Sequence, residues 1–440
     1  MFSFRLRARG AWVLIAGMVL SGASAQSPDS ATGLAEQRAD ALTLGDAIAQ
    51  ALAANPALRG FGFRLQAGDA RVQQASQRPA TVASLELENV LGSGDTRGFD
   101  AAETTFALSR VVELGDKRGS RTAAAEAGLE LVSIERQAAQ LDVVAEVARR
   151  FVQVAALQEY RQLAADATGQ VRSTVTDVER RVAAARSPEA ELLRARAALA
   201  TAEIDERRAS QQLLIGRRLL AATWNAAADT FSPIRADLYR FSEPDAFESL
   251  ATRLEGNPDF LRFTSEARLR DAELQLARSA RRPDIEFSAG LRRLEGPNDH
   301  AFVLGVAVPL FAGKRSAPAL AESNALRGLV GAEREAALLN ARSRLFELHQ
   351  ELVLAIAETR ALDSDVLPRL QEALKRTRYA YERGRYSYLE LVDAQQAWRD
   401  ARRTLIDAAL RGHSLRVEIE RLTGESIEAS ATELTDGSSE

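Results

Sequence analysis

The chain of 440 residues contains no cysteine. This excludes a disulfide framework, a thiol nucleophile, a cysteine zinc site and a lipid-bearing N-terminal cysteine. Its two methionines, Met1 and Met18, both fall in the first 25 residues, so no methionine ladder for soft metals exists beyond them. The three histidines, His300, His349 and His413, are scattered, and no pair has metal-ligand spacing. His300 is expected in an exposed strand loop, and His349 and His413 as polar packing residues on helices. Aromatics are only 6%. No segment beyond residue 25 reaches the 18 or so apolar residues of a membrane-spanning helix, so none is expected, although an exported chain can still enter a bilayer as a β-barrel. No nucleophile–base pair or cofactor motif is present, so no enzymatic activity and no cofactor are expected.

Apolar residues make up 46% and charged residues 27% of the chain. Alanine is abundant in the helical stretches, and small side chains let helices pack closely side by side. The first 25 residues carry Arg5, Arg7 and Arg9, an apolar core from Ala11 to Leu20, and Ala23-Ser24-Ala25. This is the pattern of a cleaved secretory signal, with an uncleaved anchor as the alternative. Its removal takes the formal charge from −4 to −7, and bulk charge gives no reason to expect nucleic-acid binding. Residues 26–42 read as an extended leader and residues 425–440 as a disordered Ser/Thr/Glu-rich tail.

Between these ends the chain is written twice. Asn55-Pro56, Arg78-Pro79 and Lys117-Arg118 return as Asn257-Pro258, Arg282-Pro283 and Lys314-Arg315, at offsets of 202, 204 and 197. The first repeat spans 43–223, with a helix, a strand pair over 83–112 and a long helical hairpin over 118–222. The second spans 247–424, with a helix, a strand pair over 284–310 and a hairpin over 315–422. Residues 224–246 are expected to link them. A period near 200 is far beyond the 20–50 residues of a solenoid.

Strands are expected near 83–91, 103–112, 284–293 and 301–310. Leu85 and Leu87 alternate with Glu86 and Glu88, and Phe302 and Leu304 with Val303 and Gly305. One apolar and one polar or small face fits a strand wetted on one side. A membrane barrel and a half-buried soluble hairpin both satisfy it, with Leu85, Leu87, Phe302 and Leu304 as the lipid-facing candidates in the former. From Gly119 to Ser187 there is no proline, and a continuous helix of that length would reach ~100 Å. Asp363, Ser364, Asp365 and Pro368 suggest a break and restart in the second hairpin.

Several segments carry a family resemblance. Leu42-Thr43-Leu44, Ala47-Ile48, Ala51-Leu52 and Asn55-Pro56 look like an opening helix. Val308-Pro309-Leu310-Phe311 with Gly313-Lys314-Arg315 looks like a strand-to-helix transition. Tyr381-Glu382-Arg383-Gly384, Ser387 and Leu389-Glu390-Leu391-Val392-Asp393-Ala394-Gln395 look like a hairpin tip. In order, and twice over, these resemble the TolC-like outer-membrane efflux proteins across nearly the whole mature chain. Val112-Glu113-Leu114-Gly115-Asp116-Lys117-Arg118 resembles the CzcC-type heavy-metal branch in particular. Many relatives carry a lipidated cysteine, and this chain does not.

The resemblance implies a mostly α fold with a small β part. Three chains would share a 12-stranded outer-membrane β-barrel continued by a long periplasmic α-helical barrel. It implies a passive exit duct, fed by a periplasmic adaptor and an inner-membrane resistance-nodulation-division pump and embedded in outer-membrane lipid, with divalent heavy-metal cations as cargo. Drug efflux and type I protein secretion remain alternatives, as does a soluble periplasmic coiled-coil adaptor. By the same resemblance, Tyr381, Glu390 and Asp393 narrow the periplasmic end, and Glu191 and Arg194 occupy the matching places in the first repeat. Glu390 and Asp393 are three apart, on one helical face. An Arg194–Asp393 ion pair would hold the tip closed. A solvated carboxylate pair is the plain alternative. Arg383, Gly384, Ser387, Leu389, Ser187 and Pro188 are the expected tip contacts for adaptor or pump.

Overall fold

The fold is that of a computed structural model, which describes residues 41–227 and 231–425. The expected signal segment, the leader up to residue 40 and the tail after residue 425 lie outside the described residues.

The first repeat opens with α1 (Leu44–Ala54) and α2 (Pro56–Ser76). Thr43 and Asp46 form a capping box at the start of α1. The helix expected at the start of the first repeat is therefore two helices, divided at Asn55-Pro56 because proline cannot continue a helix donor ladder. β1 (Thr81–Glu88) and β2 (Glu103–Val112) follow, then α3 (Lys117–Ala183) and α4 (Glu189–Ala222). The second repeat has α5 (Phe247–Arg253), α6 (Pro258–Ser279), β3 (Ile285–Leu294) and β4 (Asp299–Ala307). A short α7 (Ala312–Arg315) leads into α8 (Ala317–Ala361), α9 (Leu367–Glu382) and α10 (Tyr388–Thr423).

Four expectations need correction. β1 ends at Glu88 instead of 91 because Asn89 and Leu91 take left-handed backbone. β4 runs over 299–307 instead of 301–310, since Asn298 turns the chain with φ 61° and Pro309 has no donor to continue the ladder. His300 accordingly lies in β4 and not in a loop. The expected break near Pro368 is a π turn, Leu362–Val366, that carries one helix into the next.

Each Asn-Pro pair ties the start of its repeat to the end. Asn55 Oδ1 accepts from the Ala57 N–H at 2.9 Å, while its Nδ2 donates to the Thr223 carbonyl at 2.9 Å. Asn257 Oδ1 accepts from Asp259 N–H at 2.8 Å, and its Nδ2 donates to the Arg421 and Leu422 carbonyls at 2.7 and 3.0 Å. One amide thus caps a helix N-terminus and satisfies carbonyls left over at a helix C-terminus. The segment expected as a linker is part of the core. Ile234 and Leu238 are buried in it, and Gln158 brackets Ile234 through both backbone N–H and carbonyl at 3.0 Å.

The four strands form one antiparallel sheet in the order β1-β2-β3-β4. Its register places Leu85, Phe106, Leu291 and Phe302 in one row, and Ala83, Leu108, Ala289 and Leu304 in the next. The opposite face carries Ser84, Ala107, Gly290 and Val303, then Glu86, Thr105, Arg292 and Ala301. The apolar face is the bare one: Phe302 is 85% and Leu304 81% exposed. A soluble half-buried hairpin would cover that face, and among the described residues nothing covers it. The outer edges of β1 and β4 have no partner strand among the described residues. No described helix is long and apolar enough to cross a membrane.

Candidate functional site

Both hairpins end in a tight turn, and the two turns share a backbone. Ala185 N–H donates to Val182 O at 2.9 Å, and Gly384 N–H to Tyr381 O at 2.8 Å, at an offset of 199. Arg186 N–H reaches Arg181 O at 2.8 Å, and Arg385 N–H reaches Ala380 O at 2.9 Å. Ala185 and Gly384 are both left-handed, with φ of 53° and 71°. Ser187 and Pro188 lead into α4 without a side-chain cap. Their counterparts Tyr386 and Ser387 lead into α10, where Ser387 and Glu390 form a capping box.

A small apolar cluster holds the tips together: Val175, Val178, Ala195, Tyr381, Tyr388 and Leu391. Tyr381 was expected to narrow an opening. It does not face one: its side chain is 1% exposed, inside this cluster. Burial raises the phenol's pKa, Arg181 opposes this, and Glu191 adds to it. The group next to Tyr381 is Arg181, whose Nη1 donates to the Tyr381 carbonyl at 2.7 Å and whose guanidinium lies 4.5 Å from the ring centroid. A cation over an aromatic face in a partly desolvated place contributes on the order of 1 kcal/mol.

Arg181 is the residue the sequence reading missed. With it go two more contacts between the repeats: Arg378 Nη2 to Ser173 Oγ at 2.9 Å and Gln395 Nε2 to Thr174 Oγ1 at 3.2 Å. Four residues further along α10, Arg399 has a pKa lowered by burial, and its Nη1 has no hydrogen-bond partner among the described residues. A mostly polar seam joins α3 to α9 and α10 here. Its sequence signal is weak, since each member is a polar residue on a charged helix. The Arg180-Arg181 pair four residues before the Ala184 turn is the one hint.

The carboxylates behave differently from one another. Glu390 Oε2 accepts from Ser387 N–H at 2.6 Å and Ser387 Oγ at 2.8 Å, and these bonds lower its pKa. It is ionised at neutral pH and committed to the cap. Asp393, one turn on, is exposed and has no hydrogen-bond or ion-pair partner among the described residues. The expected Arg194–Asp393 ion pair is not formed within the chain; Arg194 instead lies near Tyr388 and opposes the rise in that phenol's pKa, which burial and Glu191 drive. Arg383 stacks over Tyr379 at 4.3 Å, and Leu389 stands 71% exposed. The described residues contain no group of three His, Cys, Asp or Glu able to hold a metal. His413 is buried, donates its Nε2–H to the Leu238 carbonyl at 3.1 Å, and stacks on Phe241. His349 Nε2 lies 3.0 Å from the Asp245 carbonyl.

A duplicated chain with one bare apolar sheet face and two helical tips of one backbone can be set beside known proteins. The family model described as outer membrane efflux protein matches residues 47–226 and 250–425, one stretch per repeat. The cobalt-zinc-cadmium resistance protein CzcC of Cupriavidus metallidurans is 27% identical over 390 residues, which is 88% of this chain and 91% of that protein. The nickel-cobalt-cadmium resistance protein NccC of Alcaligenes xylosoxydans xylosoxydans is 25% identical over 62% of each chain. The crystal structure of the outer membrane protein VceC from Vibrio cholerae superposes with a TM-score of 0.69 at 18% identity, over 87% of this chain and 96% of that one. That likeness is one of fold. Taken with the bare apolar sheet and the long helices beside it, the family match makes the chain a member of the outer membrane efflux protein family: an outer-membrane channel with a large periplasmic helical part.

Proposed function

We propose that three copies of this chain form a closed exit duct for divalent heavy-metal cations. An inner-membrane resistance-nodulation-division pump delivers the cations through a periplasmic adaptor. The observation that carries the reading is the sheet: an apolar face with nothing on it and two unpaired edges. Exposed edges are not tolerated in lipid, so β4 of one copy must pair with β1 of the next. Two copies would give eight strands, a barrel whose interior side chains fill it; three give twelve and leave a lumen. The helices support the same closure. α4 packs on α3, α3 on α10, and α10 on α8 and α9, which leaves α4 and α8 at opposite edges. Both edges are apolar: Leu193, Leu214 and Ile215 are exposed on α4, and Leu339, Phe346 and Leu354 on α8.

The cargo reading is supported by the names and coverage of CzcC and NccC. Drug efflux or type I secretion is the alternative. In a strain that keeps pump and adaptor, loss of this chain is expected to abolish tolerance to cobalt, zinc and cadmium. Retained metal tolerance with lost drug tolerance would decide for the alternative.

The tips are proposed as the periplasmic gate. Asp393, without a partner among the described residues, forms the charged ring, with Glu390 behind it in the cap; acidic rings favour cations. Glu191 and Arg194 flank the ring from the first repeat, and Arg383, Gly384, Ser387, Leu389, Ser187 and Pro188 present the tips to the adaptor. Asp393→Ala channels are expected to conduct more in planar bilayers, with weaker cation preference and weaker block by trivalent cations. Arg181→Ala is expected to raise conductance without changing selectivity. Wild-type conductance and selectivity in both variants would refute the gate assignment.

A further inference from the structure

The apolar face of the sheet is interrupted once near its helix-side end. Arg110 of β2 stands on that face, between Thr81 of β1 and Phe287 of β3, in the row that ends at Val306 of β4. Along its own strand its neighbours on the face are Leu108, 49% exposed, and Val112, 42% exposed. Arg110 is exposed, and no carboxylate among the described residues pairs with it. A bare guanidinium on a lipid face is costly at mid-membrane and costs close to nothing at the interface. Arg110 is one face row, about 7 Å, from the strand end, and an arginine stem of about that length can carry the charge down to headgroup level.

The neighbourhood at that level is of one kind. Leu310 and Phe311, 70% and 72% exposed, follow β4 in the chain. Phe311 holds a left-handed backbone, φ 62°, three residues before Lys314. Arg78 precedes β1 by three residues. All three cations are exposed and without a carboxylate partner among the described residues. Lys314, Arg315 and Arg78 sit by the open sheet edges, where another copy would lie. Arg110 does not: β2 is flanked on both sides by strands of its own chain, so a neighbouring copy cannot supply its cross-strand partner.

We infer that Arg110, seconded by Arg78, Lys314 and Arg315, binds the phosphate of anionic glycerophospholipids in the leaflet on the helical side of the barrel. The apolar side chains around it hold the acyl chains, and the guanidinium or ammonium groups hold the headgroup. This rests on the channel reading above and adds a partner of defined chemistry to it.

The test uses the purified full-length trimer and two probes, dioleoyl phosphatidylglycerol and dioleoyl phosphatidylcholine. By native mass spectrometry the wild type is expected to retain the anionic lipid in preference to the zwitterionic one. Arg110→Ala is expected to lose about fivefold of that preference, one near-surface cation's worth, and Arg110→Lys to keep most of it. Equal retention of both lipids by the wild type overturns the inference. So does an unchanged preference in Arg110→Ala. Should Arg110→Ala fail to assemble, the wild type decides by heat stability in nanodiscs: higher in the anionic lipid supports the site, equal in both lipids rejects it. Conductance in phosphatidylcholine bilayers is recorded alongside. A wild type that conducts but shows no lipid preference sinks this inference alone, and one that does not conduct sinks the channel reading.

Discussion

The two hairpin tips have one backbone and two sets of side chains. At the first, the left-handed position is Ala185, the helix start is uncapped Pro188, and Arg181 stands before the turn. At the second, the same places hold Gly384, Ser387 with its Glu390 partner, and Ala380. The cross-contact is therefore made once. Arg181 of the first tip grips Tyr381 of the second. The symmetry-equivalent pair would be Ala380 with Val182, two side chains that offer neither charge nor ring. Within the chain this pair bridges the two tips, and no such pair stands at the equivalent positions Val182 and Ala380. Duplication supplied the geometry, and divergence placed the contact on one side of it.

The sheet makes the opposite case, since there the repeats remain equivalent. Ala83 and Leu108 of the first share a row with Ala289 and Leu304 of the second. Leu108→Arg and Leu304→Arg should thus cost alike, about 2–4 kcal/mol per chain if the row lies near mid-membrane. Yield and heat resistance of the trimer in detergent measure this. A large loss for one and none for the other would break the equivalence.

His413 tests a feature found in the second repeat alone. Its counterpart at the offset of 199 is Leu214, which is half exposed. Burial drives the His413 pKa down to about 4, so the folded chain holds it neutral. An unfolded histidine titrates near 6.5, so between about 6.5 and 4 the unfolded chain binds the extra proton. Stability is complete above that window, falls as pH drops through it, and levels off below about 4. The loss amounts to about 3 kcal/mol per chain. Thermal unfolding of the wild type and His413→Gln from pH 7.5 to 4 should show the steeper wild-type fall. Parallel curves would mean that the site admits the proton.

The Asn-Pro pairs grade the comparison further. Asn257 is fully buried and serves two carbonyls besides its cap; Asn55 is less buried and serves one. Losing a cap costs about 1 kcal/mol, and each buried orphaned carbonyl adds to it. Asn257→Ala should cost roughly 2–3 kcal/mol and Asn55→Ala roughly 1–2, read from midpoints of chemical unfolding. Equal costs would show that water reaches the Arg421 and Leu422 carbonyls.

The sequence showed the duplication, the strand pairs and both tips because these rest on local signals: Asn-Pro, period-two alternation, and a glycine before a Ser-x-x-Glu box. It showed the faces of the strands but not which side was bare, since burial depends on what packs above the sheet. It placed Glu390 and Asp393 on one helical face but not their roles. The capping box had been legible as Ser387 and Glu390 three apart, yet a charge-ring reading passed over it. Arg181 stayed hidden because its partner is 200 residues away, and no local pattern marks an arginine that will meet a tyrosine on another helix. Ion pairing was over-read for the same reason: Arg194 and Asp393 align in register, but alignment between repeats does not bring side chains into contact.

The smallest effect tests the backbone identity of the tips. A left-handed residue costs a side chain about 1 kcal/mol relative to glycine, through the clash of its Cβ with the backbone. Ala185 carries that strain now, and Gly384 does not. Ala185→Gly relieves it, although glycine also gives the unfolded chain more freedom, so a net gain of about 0.5 kcal/mol is expected. Gly384→Ala should lose about 1 kcal/mol, because it brings the strain in. A Cβ at Gly384 would have its nearest neighbour at Arg181 Nη2, 3.9 Å away, so crowding contributes little and the loss reports conformation. The double variant, with the two residues exchanged, should then lie within about 0.5 kcal/mol of the wild type in chemical unfolding. Hydrogen exchange at the Ala185 and Gly384 amides supplies the local readout, with protection rising at the first tip and falling at the second. If Gly384→Ala costs nothing, the two turns are not the same turn, and the correspondence at an offset of 199 fails at the place where it is drawn most closely.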